Sequence, residues 1–133
     1  MDISASAHAA ALWAGLHLVL LLVLAVLVTR QRRKHGVEIG DGGVPALGLA
    51  IRAFGNATEY VPAAMAALAV LALNGAAPAL IHGIGLVLFV GRLLHAVGLS
   101  RSSGATWPRA SGVLATWIAY VAAAAALIFY AIP

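Results

Sequence analysis

Three polar side chains stand close together in an otherwise apolar stretch, and their types suit the binding of a small charged molecule. Arg52, Asn56 and Glu59 are spaced so that, at about 100° per helical residue, they fall within an arc of roughly 60°. An arginine guanidinium pairs with carboxylates, whereas a glutamate and an asparagine can hold an ammonium group and peptide amides. The set therefore suits a zwitterionic ligand with more than one carboxylate.

A second polar pair, Arg92 and His95, stands at i, i+3 in a later apolar segment and would share one helix face. Further basic residues, Arg109 and the run from Arg30 to Lys34, stand at the borders of apolar segments. The spacing contains no metal-binding pattern and no Ser-His-Asp arrangement, so we expect no metal. The chain has no cysteine, and any thiol chemistry must use the thiol of a small molecule.

The composition indicates a membrane protein. Hydrophobic residues make up 63% of the 133 residues and charged residues 9%, against about 25% charged residues in a soluble domain. A charge in hydrocarbon costs roughly 2.5–3.5 kcal/mol on insertion scales, so charges within a span usually face a bundle interior or a wet cavity. The net charge of +4 rests on eight basic residues, half of them between Arg30 and Lys34, and we expect no nucleic-acid partner.

Four apolar segments are each long enough to cross a bilayer, which takes about 20 residues. We predict membrane spans at residues 7–29, 45–73, 78–99 and 112–132, within a single domain over residues 1–133. The basic loops after the first and third spans would lie in the cytoplasm under the positive-inside rule, with both termini on the other side. The predicted fold is an all-α antiparallel four-helix bundle in which Pro62 kinks the second span.

The residues alone leave three interpretations of the polar ridge, defined here as Arg52, Asn56 and Glu59. In the first, the ridge binds a ligand, and that site would lie between subunits because one bundle of four helices has little room. In the second, it is a structural network in a non-catalytic membrane protein, for example with an ion pair between Glu59 and Arg92. In the third, it lines the pathway of a small transporter or channel, although no inverted repeat supports this.

Two motifs carry a resemblance to a known family. They are Arg52-x3-Asn56-x2-Glu59-Tyr60-x-Pro62 in span two and Gly91-Arg92-x2-His95 in span three. With its four spans and basic first loop, the chain resembles the bacterial MAPEG proteins, membrane-associated proteins of eicosanoid and glutathione metabolism. The resemblance implies a homotrimer in the bacterial inner membrane that binds glutathione as co-substrate between subunits, near the cytoplasmic face. It implies a transferase or peroxidase activity on lipophilic electrophiles or hydroperoxides that enter from the bilayer.

The resemblance also implies the roles of individual residues. Arg52 would hold a glutathione carboxylate, while Asn56 and Glu59 would bind the polar backbone or amino end of the tripeptide. The remaining residues predicted to contact glutathione are Tyr60, Arg92, His95 and Arg30. Arg109 would be the catalytic residue, because a guanidinium beside a thiol lowers the pKa of that thiol and favours the nucleophilic thiolate. For Arg30, contact with lipid headgroups is the alternative interpretation.

Overall fold

The protein is a bundle of four long helices joined by three short loops. The computed structural model describes residues 3–132, and its helices are α1 (Ile3–His35), α2 (Pro45–Leu73), α3 (Pro78–Arg101) and α4 (Trp107–Ala131). Consecutive helices run antiparallel. The Ser6 hydroxyl near the start of α1, for example, donates a hydrogen bond of 2.6 Å to the carbonyl of Ala76, just beyond the end of α2. All four helices are long and apolar enough to cross a membrane.

Helix α2 covers the same residues as the second predicted span, whereas α1, α3 and α4 extend beyond theirs. The basic run that the sequence suggested as part of a loop forms the last turns of α1, which ends at His35. Arginine and lysine are good helix formers, and their charge is favourable near a helix C-terminus. Helix α4 begins at Trp107 with Pro108 in its first turn, a position that proline favours, so Arg109 lies inside the helix.

The two helices that carry the polar motifs form the centre of the bundle. Helices α2 and α3 each pack against all three other helices, whereas α1 and α4 do not pack against each other anywhere in residues 3–132. Large apolar side chains are exposed on the outer faces, as expected of a surface in contact with lipid; they include Leu18, Leu22, Leu114, Val121 and Phe129. The fold therefore brings Arg52, Asn56, Glu59 and Arg92 onto adjoining helices.

Glycines allow the helices of this bundle to approach closely. A Cβ atom added at Gly112 of α4 would overlap the backbone nitrogen of His95 and would lie 2.6 Å from the Gly91 carbonyl oxygen on α3. Near the other end of the bundle, a Cβ at Gly85 would overlap the indole ring of Trp13 from α1. Small residues at helix crossings are the usual route to tight packing in a membrane, where van der Waals contact drives helix association.

Buried apolar residues form two clusters, one towards the chain termini and one towards the α1–α2 and α3–α4 loops, which we call the loop end. The first contains Trp13, Leu68, Ile81, Leu88 and Ala119, among others, and the second contains Leu20, Leu24, Ala53, Ala96 and Leu99. One polar or aromatic residue from each helix lies at the level between them. These residues, named here the polar layer, are His17, Tyr60, Arg92 and Thr116.

Candidate functional site

Arg92 is the centre of the polar contacts in this bundle. Its side chain is 2% exposed. The Nε atom donates a hydrogen bond of 3.0 Å to the Thr116 hydroxyl on α4, and Nη1 donates one of 2.8 Å to Oδ1 of Asn56 on α2. The Thr116 hydroxyl in turn donates to the Gly112 carbonyl over 2.8 Å, so its own hydrogen-bonding capacity is used. Arg92 thereby connects three helices within the bundle.

Two tyrosines complete the surroundings of this guanidinium. The Arg92 Cζ atom lies 4.9 Å from the centroid of the Tyr60 ring, within the range of an attractive cation–π contact. The Tyr60 ring packs edge-on against Tyr120, with centroids 5.6 Å apart, and the Tyr120 hydroxyl donates to the Tyr60 carbonyl oxygen. An aromatic face and neutral oxygen acceptors therefore stabilise the buried charge, and no carboxylate contacts it directly.

Asn56 connects the buried arginine to the surface of α2. Its Oδ1 atom accepts from Arg92, while its Nδ2 atom donates to Oε2 of Glu59 over 3.4 Å. The sequence raised the possibility of a direct ion pair between Glu59 and Arg92. In the structure the Asn56 amide lies between these two residues and hydrogen-bonds to both. Because an amide has a distinct acceptor and donor end, Arg92 fixes which end of Asn56 faces outward.

The other two members of the polar ridge lie on the outer surface of a single chain. Arg52 and Glu59 are both exposed, and both belong to a helix with the length and composition of a membrane span. Arg52 makes no hydrogen bond or ion pair with any residue between 3 and 132. The ridge is thus divided into an inward half, the Asn56 contact with Arg92, and an outward half that carries both charges.

His95 lies at the contact between α3 and α4 and is 4% exposed. Its Nδ1 atom is 3.1 Å from the backbone carbonyl oxygen of Arg109 and donates to it. The neighbouring backbone of α3 is the surface against which Gly112 packs. In this structure His95 therefore holds the first turn of α4 against α3.

Arg109 lies in that first turn and is partly buried. Its Nη1 atom donates to the carbonyls of Ser103, at 3.0 Å, and Gly104, at 3.3 Å, in the α3–α4 loop. Its other guanidinium N–H groups make no hydrogen bond within the described part of the chain. Beside it, an open groove of about 440 Å³ is lined mostly by apolar side chains of α4, which are Ala110, Val113, Leu114 and Trp117. A cationic group and an apolar surface therefore adjoin at the loop end of α4.

The basic run at the end of α1 contains residues in different settings. Arg30 is exposed and lines a cleft of about 350 Å³ together with Leu27, Gln31 and Lys34. Arg32 instead points back into the α1–α2 loop, where its Nη1 atom donates to the carbonyls of Glu38, at 2.9 Å, and Gly40, at 3.0 Å. The arrangement at Arg109 is similar, because each long arginine ties together the carbonyls of one loop.

Comparison with known proteins decides the family of this chain. The family model for the MAPEG family matches residues 10–129. The chain belongs to the MAPEG family. Two Escherichia coli proteins, one from strain K12 and one from strain O6:H1 (CFT073), are each named inner membrane protein YecN. Each is 39% identical to this chain over 120 residues, which is 90% of this chain and 90% of the relative. With four helices able to span a bilayer, this MAPEG protein is an integral, multi-pass membrane protein.

The residues predicted from the MAPEG motifs occupy different positions in the bundle. Arg52, Glu59 and Arg30 are exposed, and Asn56 and Tyr60 are partly buried. Arg92 and His95 are buried and hydrogen-bonded within the bundle. Asn56, Glu59, Tyr60 and Arg92 are brought together, while Arg109 adjoins His95 through its backbone. The chain alone does not bring Arg30 or Arg109 into hydrogen-bonding contact with the ridge.

Sequence reasoning missed several residues of this MAPEG protein that contact the site. Thr116 and Tyr120 were not predicted, although each is a hydrogen-bonding side chain within the mostly apolar helix α4. The signal that could have found them is their spacing of i, i+4, which places both on one face of α4. His17 was interpreted as a helix-packing residue, yet it is fully buried at the level of Arg92.

Proposed function

We propose that this MAPEG protein is a glutathione-dependent transferase or peroxidase of the bacterial inner membrane, with its site between neighbouring copies in a homotrimer. The observation that carries the proposal is the outward half of the polar ridge. Arg52 is exposed within a span and makes no hydrogen bond or ion pair with the described residues, and Glu59 lies exposed on the same face. The name of the two E. coli relatives, inner membrane protein, supports the location.

The cost of exposed charges supports assembly. Each charged side chain that faces hydrocarbon costs roughly 2.5–3.5 kcal/mol on insertion scales, so Arg52 and Glu59 need to be covered by polar surroundings. A neighbouring copy that packs against this face of α2, with a polar ligand enclosed, would supply them. Exposed Arg30, at the loop end of α1, is available to reach such a shared site from a neighbour. The three-fold symmetry is the family's arrangement, and we extend it to this chain.

The exposed chemical groups suit glutathione, which carries two carboxylates, an ammonium group and two peptide amides. The Arg52 guanidinium would pair with a carboxylate, and the Glu59 carboxylate with the ammonium group. Asn56 would present the Nδ2 end of its amide, because its Oδ1 end accepts from Arg92. We assign Arg92 and His95 supporting roles, since both are buried and spend hydrogen bonds on Asn56 and on the backbone of Arg109.

Arg109 would activate the thiol. Only its Nη1 atom is used by the loop, and a guanidinium has five N–H groups, so donors remain for a sulfur anion. A positive charge beside the thiol favours the thiolate, which is the nucleophile. In a conjugation reaction the thiolate would attack an electrophilic carbon of the second substrate, forming a C–S bond as a leaving group departs. The apolar groove beside Arg109 offers a lipophilic substrate a path from the bilayer.

A second candidate function is a non-catalytic membrane protein in which the polar groups serve folding. The contacts of Arg92 with Asn56, Thr116 and Tyr60 favour this candidate, because they satisfy the buried charge without any ligand. They do not account for the exposed Arg52. The two candidates therefore differ in what they predict for that one residue.

Titration of glutathione into the purified, detergent-solubilised protein tests the proposal. We expect a saturable ultraviolet absorbance of the thiolate at neutral pH, with matching heat in calorimetry. Arg52→Ala should abolish both signals and leave the oligomer mass unchanged in light scattering. Thr58→Ala is the matched control, because Thr58 is also exposed on α2 but lies off the ridge. Binding by the Arg52→Ala protein with unchanged affinity would contradict the proposal, and no binding by the unaltered protein would favour the structural candidate.

A further inference from the structure

Helix α1 contributes a single residue, His17, to the polar layer. Its side chain is 0% exposed, and its ring packs edge-on against Phe89 of α3, with ring centroids 5.3 Å apart. Phe89 stands one helical turn before Arg92, so the imidazole and the guanidinium lie along the same side of α3. The two groups are close enough to interact electrostatically.

The hydrogen bond to one ring nitrogen assigns the tautomer of His17. Its Nδ1 atom lies 2.7 Å from the backbone carbonyl oxygen of Trp13. A carbonyl oxygen accepts only, so Nδ1 carries the proton and the neutral ring leaves Nε2 as an acceptor. That Nε2 atom is buried and hydrogen-bonds to none of residues 3–132. A buried polar atom left without a partner costs about 1–3 kcal/mol, so a partner is expected there.

Arg92 has the complementary need. Its Nε and Nη1 atoms donate to Thr116 and Asn56, whereas its Nη2 atom is buried and likewise makes no hydrogen bond within the described chain. Nη2 carries two N–H donors and His17 Nε2 is an acceptor, but no direct hydrogen bond joins them. A molecule between them must therefore accept from the arginine and donate to the histidine.

We infer that an ordered water molecule binds between His17 Nε2 and Arg92 Nη2 and joins α1 to the polar layer. Water both accepts and donates, and buried water typically satisfies polar groups of this kind. A simple anion such as chloride would accept from Nη2 but could not donate to Nε2. A metal cation would suit the imidazole but would be repelled by the guanidinium. Of these ligands, water alone suits both partners.

The water would make Arg92 the meeting point of all four helices. Thr116 binds it from α4 and Asn56 from α2, while His17 would bind it from α1 through the water. His17 is then a positioning residue. It would help to fix the guanidinium whose Nη1 atom orients the Asn56 amide towards Glu59. The inference does not depend on glutathione, and its test needs no thiol.

Solid-state NMR of the full-length ¹⁵N,¹³C-labelled protein in lipid bilayers tests this inference. The ring nitrogens of His17 are assigned through bonds to its own Cα, so the measurement requires no variant. We expect a protonated Nδ1, an unprotonated Nε2, and transfer of magnetisation from water protons to both Nε2 and Arg92 Nη2. His35, which is exposed at the end of α1, provides the comparison for bulk water. After a change to D₂O its transfer should vanish first.

Three results would overturn the inference. They are a proton on Nε2, a direct Nη2-to-Nε2 contact without water, and no transfer from water at either nitrogen. A variant adds a second test. His17→Phe keeps an aromatic ring against Phe89 but removes the acceptor, and we expect loss of the water transfer at Arg92 Nη2. The matched control His82→Phe should leave that transfer unchanged, because His82 is exposed and its ring hydrogen-bonds to Trp13. Unchanged transfer in His17→Phe would remove His17 as a partner.

Discussion

The Nη1 atom of Arg92 and the Oδ1 atom of Asn56 lie 2.8 Å apart, and this contact determines how the surface of α2 is presented. A charge-assisted hydrogen bond of this length is stronger than one between neutral groups. It holds the acceptor end of the amide inside the bundle. The donor end therefore faces Glu59 and the exposed side of the ridge. A buried arginine can in this way shape a binding surface that it does not itself reach.

Removing this amide should destabilise the bundle. In Asn56→Ala the Arg92 Nη1 atom loses its side-chain acceptor while remaining buried, at a cost of about 1–3 kcal/mol or more because the group is charged. We expect a lower midpoint of thermal unfolding in detergent. Thr58→Ala changes an exposed side chain on the same helix and should keep the midpoint of the unaltered protein. Equal midpoints for the two variants would mean that the Arg92–Asn56 contact contributes nothing measurable.

Packing between α3 and α4 should be sensitive to a single methyl group at Gly112. The added Cβ in Gly112→Ala would overlap the backbone nitrogen of His95, and neither backbone can move without separating the helices. Overpacking of this kind typically costs about 1–3 kcal/mol. Gly83→Ala on α3 is the control, since a Cβ there meets nothing within 4 Å. Thermal unfolding should show a loss for Gly112→Ala and none for Gly83→Ala.

If glutathione is the co-substrate, Arg109 should affect the rate more than the affinity. We expect Arg109→Ala to lower kcat with a lipophilic electrophile by roughly 10²–10³-fold, the usual effect of removing one positioned electrostatic donor. The dissociation constant for glutathione should change much less, because Arg52 and Glu59 would still hold its charged ends. Stopped-flow kinetics and calorimetry measure the two quantities separately. A large loss of affinity with an unchanged kcat would place Arg109 in binding rather than in thiol activation.

Arg32 should protect the α1–α2 loop. Its Nη1 atom bonds to the carbonyls of Glu38 and Gly40, so Arg32→Ala should loosen the loop and hasten cleavage after Glu38 by a glutamyl endopeptidase. Arg33→Ala removes the same charge from an exposed neighbour that makes no hydrogen bond within the described chain, and it should not affect cleavage. The two time courses would coincide if the loop were held by charge alone.

The sequence predicted α2 well because its ends carry strong local signals. Pro45 opens the helix, and Asn74 with Gly75, whose φ is 71°, closes it. The face shared by Arg52, Asn56 and Glu59 also followed from helical spacing. The depth of each side chain did not follow. Spacing along one helix does not reveal how its neighbour is rotated, and that rotation decides that Arg92 is buried while Arg52 is exposed.

Two further differences arise from contacts between segments that are distant in sequence. His17 was compared with His8 on its own helix, which could not indicate its position near Phe89 and Arg92. Arg109 was expected just before a helix, but Pro108 allows α4 to begin earlier, and the contact of His95 with the Arg109 carbonyl holds that turn in place. Local propensity would have found the first turn of α4, whereas the tertiary contact needed the structure.

The two arginines that tie the loops have a consequence for how the chain is inserted. Insertion machinery reads positive charge next to apolar segments, and a designer who wished to invert this protein would remove such charges. Neutralising Arg32 or Arg109 would also release loop carbonyls, so orientation and loop order would change together. The basic side chains that make no hydrogen bond within residues 3–132 are Arg30, Arg33, Lys34 and Arg101. Those four could be exchanged to reverse the topology while the folded loops stay intact.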